Sequence, residues 1–178
     1  MRLPSEREGI IQRINLKKRY SMNEWIKLLQ ENDYLGVKKY LKEGANVNES
    51  NDTEESVLAC ALRYRCDYEI IDILVESGAD LNDFNEDGVS ILDYAIMYNR
   101  IDLVKKVLEE GFDVNKTYRP SRFTPLMGAV CYGRGEIARM LLKMGANKEA
   151  RDTKGLTALD FAKKTHKKSM IKLLEEEA

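Results

Sequence analysis

Acids are plentiful in this sequence of 178 residues, with 30 aspartates and glutamates, but histidine is almost absent. His166 is the single histidine, so no serine or cysteine has a second histidine to work with in nucleophilic catalysis. A pair of carboxylates would need a concave, desolvated site to shift a pKa. Asp93 and Asp160 are the better-placed carboxylates, but structural hydrogen bonding is the simpler explanation for both. We therefore predict a protein without enzyme activity and without catalytic residues.

Thiol and phosphate chemistry are also poorly supported. The three cysteines, Cys60, Cys66 and Cys131, are odd in number and form no C-x-x-C pair, which argues against a disulfide framework and a thiolate metal site. Gly133-Arg134-Gly135 is too short for a phosphate-binding loop and lacks the lysine pattern that follows one. We expect reduced thiols, no metal, no cofactor and no small-molecule substrate.

Three tyrosines point to binding instead. Tyr64, Tyr98 and Tyr132 are spaced 34 and 34 residues apart, and Met97 lies next to the second of them. Tyrosine is enriched where the binding energy of protein interfaces concentrates. The equal spacing predicts one position in three copies of a unit, so that the rings line up on one surface. The alternative is that the rings only pack over neighbouring helix ends, with their hydroxyls in water.

The segment Tyr118-Arg119-Pro120-Ser121-Arg122-Phe123 is a second candidate surface. It places two aromatic and two arginine side chains on a turn that proline stiffens, and such preorganisation limits the entropy lost on binding. The alternative is that Tyr118 and Phe123 cover one another as local packing. The corresponding turns elsewhere are polar: Glu54-Glu55, Glu86-Asp87 and Thr153-Lys154.

An internal repeat accounts for this spacing. Four glycines lie 34, 33 and 34 residues apart, and each follows an apolar stretch of helical periodicity: Gly44, Gly78, Gly111 and Gly145. Within residues 85–117, Asn85-Glu86-Asp87-Gly88 is a turn signal and Ser90 is placed to cap a helix over residues 91–99. A second helix ends before Gly111, which suits the left-handed position after a helix. Neither helix can bury its apolar face alone, so successive pairs must stack.

These units resemble the ankyrin-repeat family over about residues 20–178. The best match is Thr124-Pro125-Leu126, where proline starts a helix, and Gly155-Leu156-Thr157-Ala158-Leu159 repeats the theme. The resemblance implies one all-α solenoid of helix-turn-helix repeats with short projecting β-hairpins. Its five predicted repeats are about residues 21–48 (a cap), 51–82, 85–117, 119–151 and 152–178 (a cap). Residues 1–19 lie outside the pattern, as an amphipathic helix or a mobile segment.

The sequence departs from the family where a histidine usually follows the leucine of the first helix. The four positions hold Ala59, Asp93, Met127 and Asp160. An aspartate there can accept backbone hydrogen bonds, whereas we expect that Ala59 and Met127 cannot. Looser loops are therefore predicted before the second and fourth repeats.

The function that the resemblance implies is protein–protein recognition by a non-catalytic, monomeric adaptor, inhibitor or effector. In ankyrin-like stacks the carboxy-terminal end of the first helix faces the concave side, where partners dock. The predicted protein-binding residues lie there and at the hairpin tips: Tyr64, Met97, Tyr98, Tyr118, Arg119, Arg122, Phe123 and Tyr132.

Charge distribution leaves two alternatives open. Residues 1–19 carry a net charge of +4, residues 20–117 of −11 and residues 118–178 of +6. The basic last third could bind nucleic acid or another anionic surface, although the acidic middle disfavours this. A carboxylate-using enzyme subunit is the other alternative. Without a membrane-length apolar run or a signal peptide, we expect a cytoplasmic protein without a membrane partner, and delivery to another cell as an effector stays open.

Overall fold

The computed structural model describes residues 21–176, and in that range the chain forms ten α-helices joined by turns, with no sheet. The all-α, helix-turn-helix class predicted from the sequence is confirmed. The segment 1–19 lies outside the described residues. The helices are α1 (Met22–Gln30), α2 (Tyr34–Lys42), α3 (Val57–Arg63), α4 (Tyr68–Glu76), α5 (Ile91–Met97), α6 (Ile101–Glu109), α7 (Pro125–Tyr132), α8 (Gly135–Lys143), α9 (Ala158–Lys164) and α10 (Lys168–Glu176).

Side-chain caps start the first helix of most pairs. The hydroxyls of Ser56, Ser90, Thr124 and Thr157 each accept a hydrogen bond from the backbone N–H three residues later. Such a cap satisfies one of the amides that a helix start leaves without a partner. The capping role predicted for Ser90 is confirmed.

Glycines end the second helix of four pairs in the left-handed conformation. Gly111 has φ +89°, and a Cβ built there would meet nothing within 4 Å. Glycine is therefore favoured at this position by the left-handed backbone conformation and not by lack of space. Gly44, Gly78 and Gly145 adopt φ values of +96°, +91° and +88°. The helix-end role that the sequence predicts for these residues is confirmed.

The described chain divides into two compact units. The first contains residues 21–52 and 56–79. In it, α1 packs against α2 and α3, while α4 packs against α2 and α3. Its core is apolar, and Trp25, Leu29 and Val37 are fully buried.

The second unit contains residues 53–55 and 80–176. The first helices of its three pairs form a row in which α5 packs against α7 and α7 against α9, and each second helix packs on its own first helix. Ala95 is fully buried, which fits the close helix approach that its small side chain permits. Leu92, Ile96, Leu126, Ile137 and Leu141 are buried in the core of this unit.

The hairpins are reduced to single bridges. Within the described range, Ser50 pairs with Ser56 and Phe84 with Ser90 as isolated antiparallel bridges. None of the helices in residues 21–176 combines the length and apolar character that crossing a bilayer requires.

Asparagine side chains join the loops of consecutive repeats. In the first unit, Asn48 Nδ2 donates to the Gly78 carbonyl at 2.9 Å. In the second unit, Asn115 Nδ2 donates to the Gly145 carbonyl at 3.1 Å, and Asn115 Oδ1 accepts from the Asn147 N–H at 2.7 Å. The same side chain therefore connects equivalent loops in both units.

Candidate interaction surface

Four turns of the second unit form a continuous row. The Glu86 N–H donates to the Thr53 carbonyl at 3.3 Å, and the Thr153 N–H donates to the Ser121 carbonyl at 3.0 Å. Between these pairs, Gly88 lies so close to the Tyr118 carbonyl that a Cβ at position 88 would overlap it. We name this set the tip row; it comprises residues 53–55, 85–88, 118–122 and 152–155.

An aromatic stack joins the exposed Phe84 to the half-buried Tyr118 of the tip row. The rings of Phe84 and Tyr118 stack with centroids 3.9 Å apart and an interplanar angle of 13°. Lys116 Nζ is 4.7 Å from the Tyr118 centroid, and Phe84 is 41% exposed. Phe84 was not among the binding residues predicted from the sequence. Its signal was present, because Phe84 precedes Tyr118 by the same 34 residues that separate Tyr98 from Tyr132.

The two aromatic residues of the 118–123 segment do not cover one another. Tyr118 stacks on Phe84, while Phe123 contacts Phe161 edge to face, with centroids 5.3 Å apart at 80°. The alternative of mutual local packing is therefore wrong. Each ring is paired with a ring of a neighbouring repeat, which fixes its position before any partner binds.

Arg119 does not project from its turn. Its Nη2 lies 3.4 Å from Asp93 Oδ1, and the two side chains are only 20% and 7% exposed. The guanidinium is also 5.6 Å from the Phe123 centroid. The sequence predicts Arg119 as a binding residue on a projecting turn, but its charge is paired with the buried carboxylate of Asp93. Arg122 is exposed, with a φ of +57°.

Glu55 is likewise not part of an exposed acidic turn. It is 6% exposed, and its Oε1 accepts a 2.7 Å hydrogen bond from the Tyr94 hydroxyl. That hydroxyl in turn accepts from Asn85 Nδ2 at 3.3 Å. The exposed acid at this tip is Glu54.

A second row lies at the carboxy-terminal ends of the first helices. Tyr98 directly follows α5 and is half-buried, whereas Tyr132 ends α7 and is 40% exposed. Because α5, α7 and α9 pack in succession, these ends are neighbours. We name residues 97–98, 131–132 and 163–165 the helix-end row. In the first unit, Tyr64 follows α3 in the same way.

Two basic side chains support the helix-end row, and sequence reasoning did not assign either to it. Arg134 Nη2 donates to the Met97 carbonyl at 2.7 Å and so anchors the end of α5. Lys167 Nζ lies 3.4 Å from the place where a Cβ of Gly133 would be. Burial raises the pKa of the Cys131 thiol, and the positive charge of Lys167 lowers it in part. The thiol therefore stays protonated at neutral pH.

The carboxylates considered for catalysis have structural partners. Asp93 Oδ2 accepts from the Ser90 N–H at 3.0 Å, and Asp160 Oδ2 accepts from the Thr157 N–H at 2.9 Å. The hydrogen bonds from the Thr157 backbone and side chain lower the pKa of Asp160. The prediction that an aspartate at these two positions accepts backbone hydrogen bonds is confirmed.

The expectation that Met127 cannot accept a backbone hydrogen bond at the position of the family's usual histidine is wrong. Its sulfur accepts a hydrogen bond from the Thr124 N–H at 3.4 Å, so it takes the place of the carboxylate oxygen.

His166 is exposed and occupies a left-handed turn position with φ +53°. No group of three His, Cys, Asp or Glu side chains in residues 21–176 is arranged to hold a metal ion.

The first unit has a groove of about 500 Å³ along α1 and α2. Leu28, Leu35 and Tyr40 contribute apolar surface to its lining, and Leu35 is 74% exposed. Glu24, Asp33 and Glu43 also line it, but Asp33 Oδ1 is occupied by the Gly36 N–H at 2.9 Å. Asp93 and Asp160 do not line this groove.

In residues 21–176, helix pairs recur every 33 or 34 residues, four with a side-chain cap at the start and four with a left-handed glycine at the end. This pattern defines a repeat protein. A family model described as ankyrin repeats in three copies matches residues 26–118, and a single ankyrin-repeat model matches residues 121–153. The first match alone covers more than half of the chain, which therefore belongs to the ankyrin-repeat family.

The curated relatives share only a segment of this chain. The E3 ubiquitin-protein ligase hecd-1 of Caenorhabditis elegans is 41% identical over 63 residues, which is 35% of this chain and 2% of the relative. The E3 ubiquitin-protein ligase Ufd4 of Drosophila melanogaster is 44% identical over 63 residues, again 35% and 2%. The potassium channel KOR2 of Oryza sativa subsp. japonica is 36% identical over 77 residues, or 43% and 11%. The chain thus spans a small part of the length of these relatives.

Proposed function

We propose that the second unit binds one protein partner, without catalysis, along the tip row and the helix-end row. Ankyrin repeats are generally protein-interaction modules, and the family membership supports this class of function. The observation that carries the proposal is the stack of the exposed Phe84 on the half-buried Tyr118, in the same unit as the exposed Tyr132.

Exposed aromatic rings at fixed positions favour binding for two reasons. Covering them removes apolar area from water, worth about 25 cal/mol per Å² before the costs of association. The Phe84–Tyr118 stack and the Arg134 contact to the Met97 carbonyl also hold their elements in place before a partner arrives. Little side-chain entropy is then lost on binding.

Individual residues take different parts in this proposal. Phe84, Tyr118, Tyr132 and Arg122 contact the partner directly, with Met97 and Tyr98 at the half-buried end of the helix-end row. Arg119 and Phe123 act through packing, because their side chains contact Asp93 and Phe161. Tyr64 belongs to the first unit, with the Arg63 guanidinium 4.6 Å from its ring centroid, and we propose it as a secondary contact of that unit by itself. The protein acts as a monomeric adaptor in the cytoplasm.

Photo-crosslinking in cells of the source organism tests this surface. A benzophenone amino acid replaces Tyr132 in one sample and Lys106, an exposed residue of α6, in a matched control. A partner is expected to crosslink through position 132 and not through position 106.

Affinities then test the residues. Phe84→Ala and Tyr132→Ala are each expected to weaken binding of the crosslinked partner by about 1–3 kcal/mol, measured by calorimetry. Circular dichroism checks that both variants keep their helices. Crosslinking through position 106 alone, or wild-type affinity in both alanine variants, would refute the proposed surface.

A further inference from the structure

Exposed charge changes sign along the tip row. The first two tips present acids, namely Glu54, Glu86 and Asp87, and all three are exposed. The last two tips present Arg122 and Lys154, which are also exposed. Hydrogen bonds and the close Gly88–Tyr118 contact make these tips successive neighbours. The row is therefore acidic at one end and basic at the other.

The helix-end row changes in the same direction. It begins with Met97 and Tyr98, continues with Cys131 and Tyr132, and ends with the exposed Lys163 and Lys164. None of its members is an aspartate or glutamate. Both rows thus become positive towards the last helix pair of the unit.

The helix dipole explains only part of this pattern. Lysines near the end of α9 are stabilised by the negative carboxy-terminal end of that helix. That effect does not account for Arg122 and Lys154, which lie on turns, nor for the acids at the opposite end. Complementary charge along an interface sets the orientation of a partner and accelerates association.

We infer that the partner contributes an extended peptide segment with a basic end, an apolar centre and an acidic end. The inference rests on the proposed function and gives that surface a partner chemistry. The basic end lies against Glu54, Glu86 and Asp87, and the acidic end lies against Lys154 and Lys163. The apolar centre covers the Phe84–Tyr118 stack and Tyr132.

Length follows from the repeat geometry. Packed helices lie about 8–10 Å apart, so three steps between four tips span about 30 Å. An extended chain rises about 3.3 Å per residue, so about nine residues cover this span. A segment of about twelve residues leaves room for both charged ends.

The probe is a synthetic peptide of that length, with a block of lysines, a centre of leucine and tyrosine, and a block of glutamates. Its control has the same composition with the charges alternating. Fluorescence anisotropy at low salt is expected to show at least about tenfold tighter binding of the block peptide, and the preference should shrink as salt rises.

Charge reversal identifies the ends. Glu86→Lys with Asp87→Lys, and separately Lys154→Glu with Lys163→Glu, should each weaken the block peptide at least about fivefold. Lys105→Glu with Lys106→Glu on exposed positions of α6 is the matched control and should leave its affinity within twofold. A spin label on the glutamate end should broaden the amide signals of residues 163–165 and spare those of residues 85–88.

The outcomes separate this inference from the proposed function. Equal affinity for both peptides, or insensitivity to both charge reversals, overturns the charge-polarised partner. If either of these results is found and Tyr132→Ala still loses binding of the peptides, the proposed surface is retained. Block-peptide binding that ignores Tyr132→Ala and Phe84→Ala refutes the surface itself, and absence of any block-peptide binding refutes the inference.

Discussion

Two neighbouring turns of the second unit adopt the same left-handed backbone conformation with different residues. The turn over residues 83–90 has glycine at its left-handed position, with φ +71° at Gly88, whereas that over residues 117–124 has Arg122 at φ +57°. Gly88 is buried against the Tyr118 carbonyl, but Arg122 is exposed. Glycine is therefore required where a neighbouring backbone covers the turn, and a longer side chain is tolerated where water does.

The same two turns also differ at the position occupied by Asn85 in the first and by Arg119 in the second. Asn85 Oδ1 accepts from the N–H groups of Asp87 and Val89 at 3.2 and 2.9 Å, which closes the turn locally. Arg119 follows Asn85 by one repeat but carries no acceptor, and it contacts Asp93 of the preceding repeat instead. The side chain at this position therefore closes one turn locally and joins the next turn to the preceding repeat.

The largest effect is expected where glycine is covered. Gly88→Ala should lower the free energy of unfolding by more than about 3 kcal/mol, because a backbone clash adds to the left-handed strain. Gly111→Ala has the strain without the clash and should lose about 1 kcal/mol, while Gly111→Val should lose more than 1 kcal/mol. Urea denaturation measures all three. Equal losses at the two glycines would contradict the covering role of Tyr118.

The Asp93–Arg119 pair comes next. Asp93→Ala removes a helix-capping acceptor and leaves Arg119 without its ionic partner, so a loss of about 2–4 kcal/mol is expected, the upper values moderated by the partial exposure of Arg119. Arg119→Met should lose less, and the double variant should lose less than the sum of both. Denaturation midpoints in a double-mutant cycle measure this coupling. Additive losses would mean that the two side chains do not stabilise each other.

A smaller and opposite effect is expected at the exposed turn. Arg122→Gly removes the strain of a positive φ but increases the freedom of the unfolded chain, so a gain of about 0.5 kcal/mol is expected. Arg122→Ala keeps the strain and should stay near wild type. Thermal unfolding of the three proteins decides the order. A loss in Arg122→Gly would show that this arginine makes stabilising contacts.

The smallest effect is expected at Asp160, the more exposed counterpart of Asp93. Its lowered pKa means that folding favours the ionised carboxylate, a contribution present above the unfolded pKa and lost as pH falls through the folded one. Asp160→Asn should therefore be less stable than wild type at neutral pH, with the difference shrinking in acid. Thr157→Val, which removes one of the two hydrogen bonds, should show a weaker pH dependence. A difference independent of pH would point to packing instead.

Periodicity made the fold predictable, while contacts between repeats did not follow from it. Glycine spacing located the helix ends, and the hydroxyl before Ile91 located a cap, because both depend on local backbone chemistry. The burial of Glu55 against Tyr94 and the pairing of Arg119 with Asp93 depend on which side chain of one repeat meets which of the next. Residue types on a turn do not encode that choice. The binding roles of Tyr98 and Tyr132 stay predictions.

The asparagine links between loops bear on how such a chain can change in length. Asn48, Asn82 and Asn115 recur at 34 and 33 residues, and the first and last of them each reach the loop after the next helix pair. A duplicated segment of residues 82–114 would carry its own asparagine to the new junction, so the donor and acceptor there would be ones the protein already uses. An insertion of any other length would shift the register and separate them. Adding or removing whole repeats therefore preserves the hydrogen bonds between loops, whereas adding part of a repeat does not.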